Sequence, residues 1–93
     1  MKYLVACRYL REKNTDGYIY EEVSNSMSDC LVWLHGKYRE ARDTKEVFFE
    51  WMVFDFENKE LYTDVIRCIK DVSFIEAILN LSEMSKYLKV RNQ

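Results

Sequence analysis

Residues 46–56 constrain the fold most, because they alternate regularly and yet are apolar on both sides. One set of alternate residues contains an uninterrupted apolar run: Val47, Phe49, Trp51 and Val53. The other set is mostly apolar: Phe48, Glu50, Met52, Phe54 and Phe56. Alternation of this kind, in a segment rich in aromatic and β-branched residues, predicts a β-strand. A strand that is apolar on both faces needs cover on each side, so we expect it to be central in a sheet.

Two further strands are predicted near the N-terminus. Residues 2–12 alternate between two faces, and residues 18–23 resume the alternation after the sequence Asn-Thr-Asp-Gly at 14–17. An Asp-Gly pair suits the positive backbone angles of a tight turn. The pattern therefore predicts an antiparallel hairpin.

Residues 61–69 are ambiguous between strand and helix. Leu61, Val65 and Ile69 have helical spacing, but the segment is rich in strand formers and follows a polar break at 57–60. We favour a fourth strand that forms a hairpin with residues 46–56, and a helix is the alternative.

Two helices are predicted from capping residues and apolar stripes. Ser26 with Asp29 resembles a helix N-terminus, and Ser73 with Glu76 forms a capping box. The first stripe comprises Met27, Cys30, Leu31, Leu34, Tyr38 and Ala41. The second comprises Phe74, Ala77, Ile78, Leu81, Met84 and Leu88, in a helix expected to continue to about residue 89.

These elements predict an α+β fold with a single antiparallel sheet of three or four strands and two helices on one face. The chain has 93 residues, 48% of them hydrophobic, with no proline and two glycines. That composition indicates a globular chain and excludes the disordered class. We therefore expect one domain over residues 1–93, in the order strand–strand–helix–strand–(strand)–helix.

Charge excludes two broad functional classes. Fourteen basic and sixteen acidic residues give a net charge of −2. Duplex-binding domains usually carry a basic excess, and a whole-molecule mimic of DNA would be far more acidic. Residues 46–64 hold six acidic residues and one basic one. This acidic rim is explained by a solvated surface, or alternatively by contact with a basic groove on a partner.

No pattern of catalytic or metal-binding residues stands out. His35 is the single histidine, and Cys30, five residues earlier, faces away from it on a helix. Three cysteines without a C-x-x-C pair do not make a zinc site, and two glycines cannot build a phosphate-binding loop. We expect no enzyme activity, no metal and no cofactor. Three free thiols, a strand-like start without a leader and no long apolar run predict a cytoplasmic protein outside the membrane.

The two helices can cover only one face of the sheet, which leaves an apolar surplus on the other. Leu4, Ala6 and Leu10 share that second face with the mixed row of residues 48–56, and Arg8 can pair with Glu50 across the strands. Large exposed apolar patches usually mark an interface. The candidate partner-binding residues are Arg8, Leu10, Phe48, Glu50, Met52, Phe54, Asp55, Phe56 and Glu57. We interpret Asp55 and Glu57 as solvent-facing carboxylates at a strand end.

These features favour a non-catalytic protein–protein interaction module that acts stoichiometrically. In a generic way the chain resembles the small, tyrosine-rich accessory proteins of phages and mobile elements, including anti-defence proteins. That resemblance implies an inhibitor or adaptor that binds a host protein, and the expected partner is such a target, a second copy in a homodimer, or both.

Two other functions remain open. One is single-stranded nucleic-acid binding, with bases stacked on Tyr9 and Tyr18 beside Arg8, Arg11 and Lys13. The other is a small-ligand sensor with its pocket between the sheet and the helices.

Overall fold

A computed structural model describes residues 2–11, 19–42 and 47–79, and the structural statements below concern these residues. They form four strands and two helices: β1 (Tyr3–Arg11), β2 (Ile19–Ser24), α1 (Met27–Arg42), β3 (Val47–Asp55), β4 (Glu60–Arg67) and α2 (Phe74–Leu79). The predicted turn at 14–17 and the predicted helix beyond residue 79 lie outside the described residues.

The strands form one antiparallel sheet in the order β2-β1-β3-β4. The predicted α+β fold is thereby confirmed, and the segment left ambiguous by the sequence is a strand, β4. It pairs with β3 from Asp55 opposite Glu60 to Phe48 opposite Arg67. Thr63 adds a side-chain hydrogen bond, since its hydroxyl donates to the carbonyl of Trp51 at 2.8 Å. β3 therefore has a hydrogen-bonded neighbour at each edge, as predicted for a central strand.

The two faces of the sheet differ in burial. We call the buried side the core face; its most buried members are Val5, Cys7, Phe49, Trp51, Val53, Tyr62 and Ile66. We call the other side the far face. It comprises Leu4, Ala6, Arg8 and Leu10 of β1; Ile19, Glu21 and Val23 of β2; Phe48, Glu50, Met52 and Phe54 of β3; and Leu61, Thr63, Val65 and Arg67 of β4.

The helix N-termini follow the predicted capping patterns. Ser26 Oγ accepts a hydrogen bond from the backbone N–H of Asp29 at 3.1 Å, just before α1 begins. At α2, Glu76 N–H donates to Ser73 Oγ at 3.1 Å and Ser73 N–H donates to Glu76 Oε2 at 3.2 Å. Each cap satisfies backbone donors that have no partner within the helix, which fixes where the helix begins.

An aromatic cluster joins both helices to the core face. Phe74 of α2 makes edge contacts with Tyr38 of α1 and with Phe49 and Trp51 of β3, at centroid distances of 5.9, 5.7 and 5.6 Å. The hydroxyl of Tyr38 accepts a hydrogen bond from the backbone N–H of Ile69 at 3.0 Å. All four rings are fully buried, so this cluster is the centre of the core.

We predict that Phe74→Ala lowers the free energy of unfolding by about 3–5 kcal/mol, because it leaves a cavity among three aromatic rings. Urea denaturation followed by circular dichroism measures this. Val32→Ala is the control, since Val32 on α1 is 71% exposed and its truncation should change stability by no more than about 0.5 kcal/mol. A loss below about 1 kcal/mol for Phe74→Ala would show that the ring is not central to the core.

Candidate functional site

The far face is organised in rows that run across the strands. Strand register places directly opposed residues side by side on the same face. The three complete rows are Val23, Leu4, Phe54 and Leu61; then Glu21, Ala6, Met52 and Thr63; then Ile19, Arg8, Glu50 and Val65. A shorter row holds Leu10, Phe48 and Arg67. Most positions in these rows are apolar.

The apolar side chains of the far face are accessible to solvent. On the edge strands, Ile19 is 69% and Leu61 is 54% exposed, while Leu4, Phe54 and Met52 on the central strands are half-buried. Both described helices pack against the core face, so no described helix shields this side. These rows form a largely apolar surface across four strands, and an exposed apolar patch of this kind often marks a site of interaction.

One ion pair lies in the middle of this surface. Arg8 Nε is 3.1 Å from Glu50 Oε2, which confirms the predicted cross-strand pair. The two side chains are 38% and 40% exposed, so water screens their attraction. An exposed pair of this kind contributes about 0–1 kcal/mol to stability. The pair therefore adds little stability, but it places two opposite charges in the middle of the far face, between the two central strands.

A shallow depression of about 280 Å³ lies on the far face beside this pair. Ala6 lines it together with Ile19, Met52 and Thr63, and Arg8 and Glu50 border it. The small side chain of Ala6 between longer neighbours accounts for the recess. The depression is on the opposite side of the sheet from the helices, whereas the small-ligand hypothesis places its pocket between them.

Beyond the end of β3, the far face continues into an aromatic pair. Phe56 is exposed and its ring meets the ring of Phe54 edge-on, with centroids 5.1 Å apart. The backbone N–H of Phe56 donates to the carbonyl of Lys2 at 2.9 Å, which ties this turn to the start of β1. Phe54 and Phe56 thus extend the apolar surface to one end of the sheet, as the sequence predicts.

The interpretation of Asp55 as a solvent-facing carboxylate is wrong. Asp55 is 1% exposed and belongs to the core face of β3. Its Oδ1 accepts hydrogen bonds from the backbone N–H groups of Glu57 and Asn58 at 3.0 and 3.1 Å, and its Oδ2 accepts one from Asn58 Nδ2 at 2.9 Å. Asp55 therefore shapes the β3–β4 turn, in which Lys59 adopts a positive φ of 54°. Glu57 is exposed, as predicted.

Four apolar side chains of the edge strands belong to the far face but were not among the predicted site residues. These are Ile19 and Val23 of β2 and Leu61 and Val65 of β4. Each faces the same side as Arg8 or Glu50 because of the register in which β2 pairs with β1 and β4 pairs with β3. The period-two pattern of each segment was the available signal, but it does not reveal the register, and a slip of one residue would turn these side chains to the other face.

Among the described residues proposed for nucleic-acid binding, Tyr9 and Arg8 lie on opposite faces of the sheet. Tyr9 lies on the core side, where its ring packs against Tyr20 and Phe49 at centroid distances of 5.5 and 5.8 Å. Its hydroxyl donates to the carbonyl of Lys37 at 2.9 Å. Arg8 faces the opposite side and pairs with Glu50. Tyr18 and Lys13 lie outside the described residues.

The thiols of this protein are poor nucleophiles. Burial raises the pKa of Cys7 to about 12 and that of Cys68 to about 11, and it also raises the pKa of Cys30. The reactive form of a cysteine is the thiolate, which is scarce near neutral pH when the pKa is so high. Within the described part of the chain, no group of three or more histidine, cysteine or acidic residues is placed to hold a metal ion. No described helix is both long and apolar enough to span a membrane.

Comparison with known proteins gives no match: no family model, no curated protein and no solved structure is significantly similar to this chain.

We predict that stability falls as pH rises from about 9 towards 12. The unfolded Cys7 thiol has the ordinary cysteine pKa of 9.0, whereas burial raises the pKa of the folded thiol to about 12. Deprotonation therefore favours the unfolded chain in this window, by at most about 1.4 kcal/mol per pH unit for one thiol. Urea titrations at several pH values measure the slope. Cys7→Ala should flatten it relative to wild type, and equal slopes would contradict the prediction.

We also predict that Asp55→Ala lowers the free energy of unfolding by about 1.5–3 kcal/mol, because the turn loses hydrogen bonds to a charged acceptor. Glu57→Ala is the matched control in the same turn, and its exposed side chain should be worth no more than about 0.5 kcal/mol. Denaturant unfolding measures both. A neutral Asp55→Ala variant would show that these hydrogen bonds do not stabilise the turn.

Proposed function

We propose that this protein is a non-catalytic interaction module that binds a protein partner stoichiometrically through the far face, as an inhibitor or adaptor. The observation that carries the proposal is the apolar far face of four strands that no described helix covers. Burying such a surface against a partner is favourable by about 25 cal/mol per Å² of apolar area. The far face is therefore a source of binding free energy that folding of the described residues leaves unused.

The residue types on the far face support this proposal. Phe48, Phe54 and Met52 are of the kinds enriched in protein interfaces, and Arg8 adds a residue type common among binding hot spots. These side chains stand on the central strands β1 and β3, which are held on both sides by backbone hydrogen bonds. A rigid platform of this sort loses little conformational entropy on binding.

The non-catalytic part of the proposal rests on the chemistry of the available groups. The three cysteines have raised pKa values, and the single histidine lies five residues from Cys30 on the same helix. Nucleic-acid binding has less support, since the ring of Tyr9 is packed among core aromatics and Arg8 is engaged with Glu50.

We predict that Met52→Lys abolishes association with the partner and leaves the fold intact. Met52 is half-buried at the centre of the far face, where a lysine can extend its charge into water in the free protein but not in a complex. The tagged protein, incubated with lysate of the organism that encodes it, should retain one protein, either a target or the untagged chain itself, in stoichiometric amount, measured by quantitative mass spectrometry.

Val32→Lys is the matched control, because Val32 is an exposed apolar residue on α1, away from the far face. This variant should retain the same protein as wild type. Equal retention by both lysine variants would place the contact elsewhere. A wild-type chain that retains no protein and does not associate with itself would contradict the proposed function.

A further inference from the structure

We propose that the occupant of the far face is a second copy of this chain. The two sheets would pack face to face about a two-fold axis that runs parallel to the strands, along the midline between β1 and β3. This inference rests on the proposed function of the far face and names its partner. It is carried by the pairing of residues across the midline, by the charge balance of the face and by its area.

The midline separates residues that are directly opposed in the β1–β3 register. A two-fold rotation about it turns one sheet over onto the other, so that β1 lies above β3 of the second copy and β2 lies above β4. Arg8 is opposite Glu50 in the register, and the rotation therefore places Arg8 above Glu50 of the second copy. The same operation places Glu50 above Arg8, as the symmetry of a two-fold interface demands.

The rotation thus places each charge of the pair opposite the contrary charge of the second copy. In the free protein, Arg8 and Glu50 face each other within one chain at 3.1 Å, half exposed to water. In the proposed dimer, four charges from two copies form an alternating square in which each cation has an anion beside it and another across the interface. A partner without such charges would bury this pair with fewer compensating contacts, which is costly.

The apolar positions also match their symmetry mates. The rotation sets Leu4 against Phe54, Ile19 against Val65 and Val23 against Leu61. In the row that contains polar edge residues, Glu21 meets Thr63. No apolar position of the three complete rows is placed opposite a charged one.

At the centre of the far face, the rotation also places a long side chain opposite a short one. Ala6 and Met52 are opposed in the register, so the rotation sets the long side chain of Met52 above the short side chain of Ala6 of the other copy. Ala6 lines the depression of about 280 Å³. The proposed packing therefore fills each recess with a methionine, a residue whose flexible side chain adapts to irregular gaps.

Sheet twist leaves these central contacts in place. Face-to-face sheets pack about 10 Å apart with strand directions about 30° from parallel. A rotation of that size about the normal to the sheets displaces residues at the corners, but residues near the centre of the sheet move little. Arg8, Glu50, Ala6 and Met52 lie at the middle of the two central strands, and their contacts are therefore the ones that the arrangement specifies most closely.

Charge and area set the strength of the dimer. The far face carries two basic residues, Arg8 and Arg67, and two acidic ones, Glu21 and Glu50, so two copies meet without net repulsion. Four strands spaced about 4.8 Å apart and about eight residues long cover roughly 500 Å². Two such faces bury about 1,000 Å² in total, which is near the lower limit for a specific interface. The expected dimer is reversible and depends on concentration.

Charge reversal with mixing tests the inference. Wild type should show a concentration-dependent monomer–dimer equilibrium in sedimentation velocity. Arg8→Glu and Glu50→Arg should each weaken self-association at least tenfold, because each places like charges across the interface. An equimolar mixture of the two variants should restore dimers, and so should the double variant. Circular dichroism verifies that all variants are folded.

Mixing is decisive because it cannot repair the ion pair within either chain, so restored association reports contact between copies. Wild-type dimers with no rescue on mixing would overturn the proposed arrangement. A wild-type chain that stays monomeric and still retains another protein in a Met52-dependent manner would overturn the second copy as occupant and uphold the proposed function. A monomer that retains nothing would overturn both.

Discussion

The structure depends on β3, a strand that must be shielded from water on both faces. Its core row lies under α1 and α2, where Trp51 and Phe49 meet Phe74. Its other row, with Phe48, Met52 and Phe54, is also mostly apolar, but no described helix packs against it. A short chain buries a smaller fraction of its surface than a long one, and among the described residues the helices cover one face of the sheet. The apolar side chains of the far face are therefore left accessible to solvent.

The fold was predictable where a local pattern decides it. Alternation identified β1, β2 and β3, and capping residues marked the start of both helices, because hydrophobic periodicity and capping act over a few neighbouring residues. β4 was ambiguous for a physical reason: Leu61 and Val65 are four apart and suit one helical stripe, but they are also even-spaced on a strand. Only pairing with β3, a long-range interaction, distinguishes the two.

The site was predictable in its centre and not at its edges. Residues of the mixed row of β3 share a face by alternation alone, and the Arg8–Glu50 pair follows if β1 lies beside β3. The contributions of Ile19 and Val65 depend on the register in which each edge strand pairs with its neighbour, and alternation within one segment does not fix that register. Asp55 was misassigned because an acidic residue at a strand end suggests solvent. Asp55 lies two residues after Val53 and four after Trp51, so alternation places it on the core row. There, N–H groups of the turn donate hydrogen bonds to its carboxylate.

An apolar surface alone favours association but does not discriminate between partners. The ion pair adds this discrimination. Arg8 and Glu50 add little to the stability of the free chain, since both are partly solvated. A purely apolar partner would remove that water without supplying opposite charges or hydrogen bonds to replace it. Covering them with a surface that presents the opposite charges in the same register replaces the lost water. In the proposed dimer, the strand pairing that places Arg8 beside Glu50 in one chain also makes the second copy such a surface, so one local contact couples the fold of the monomer to the choice of the proposed partner.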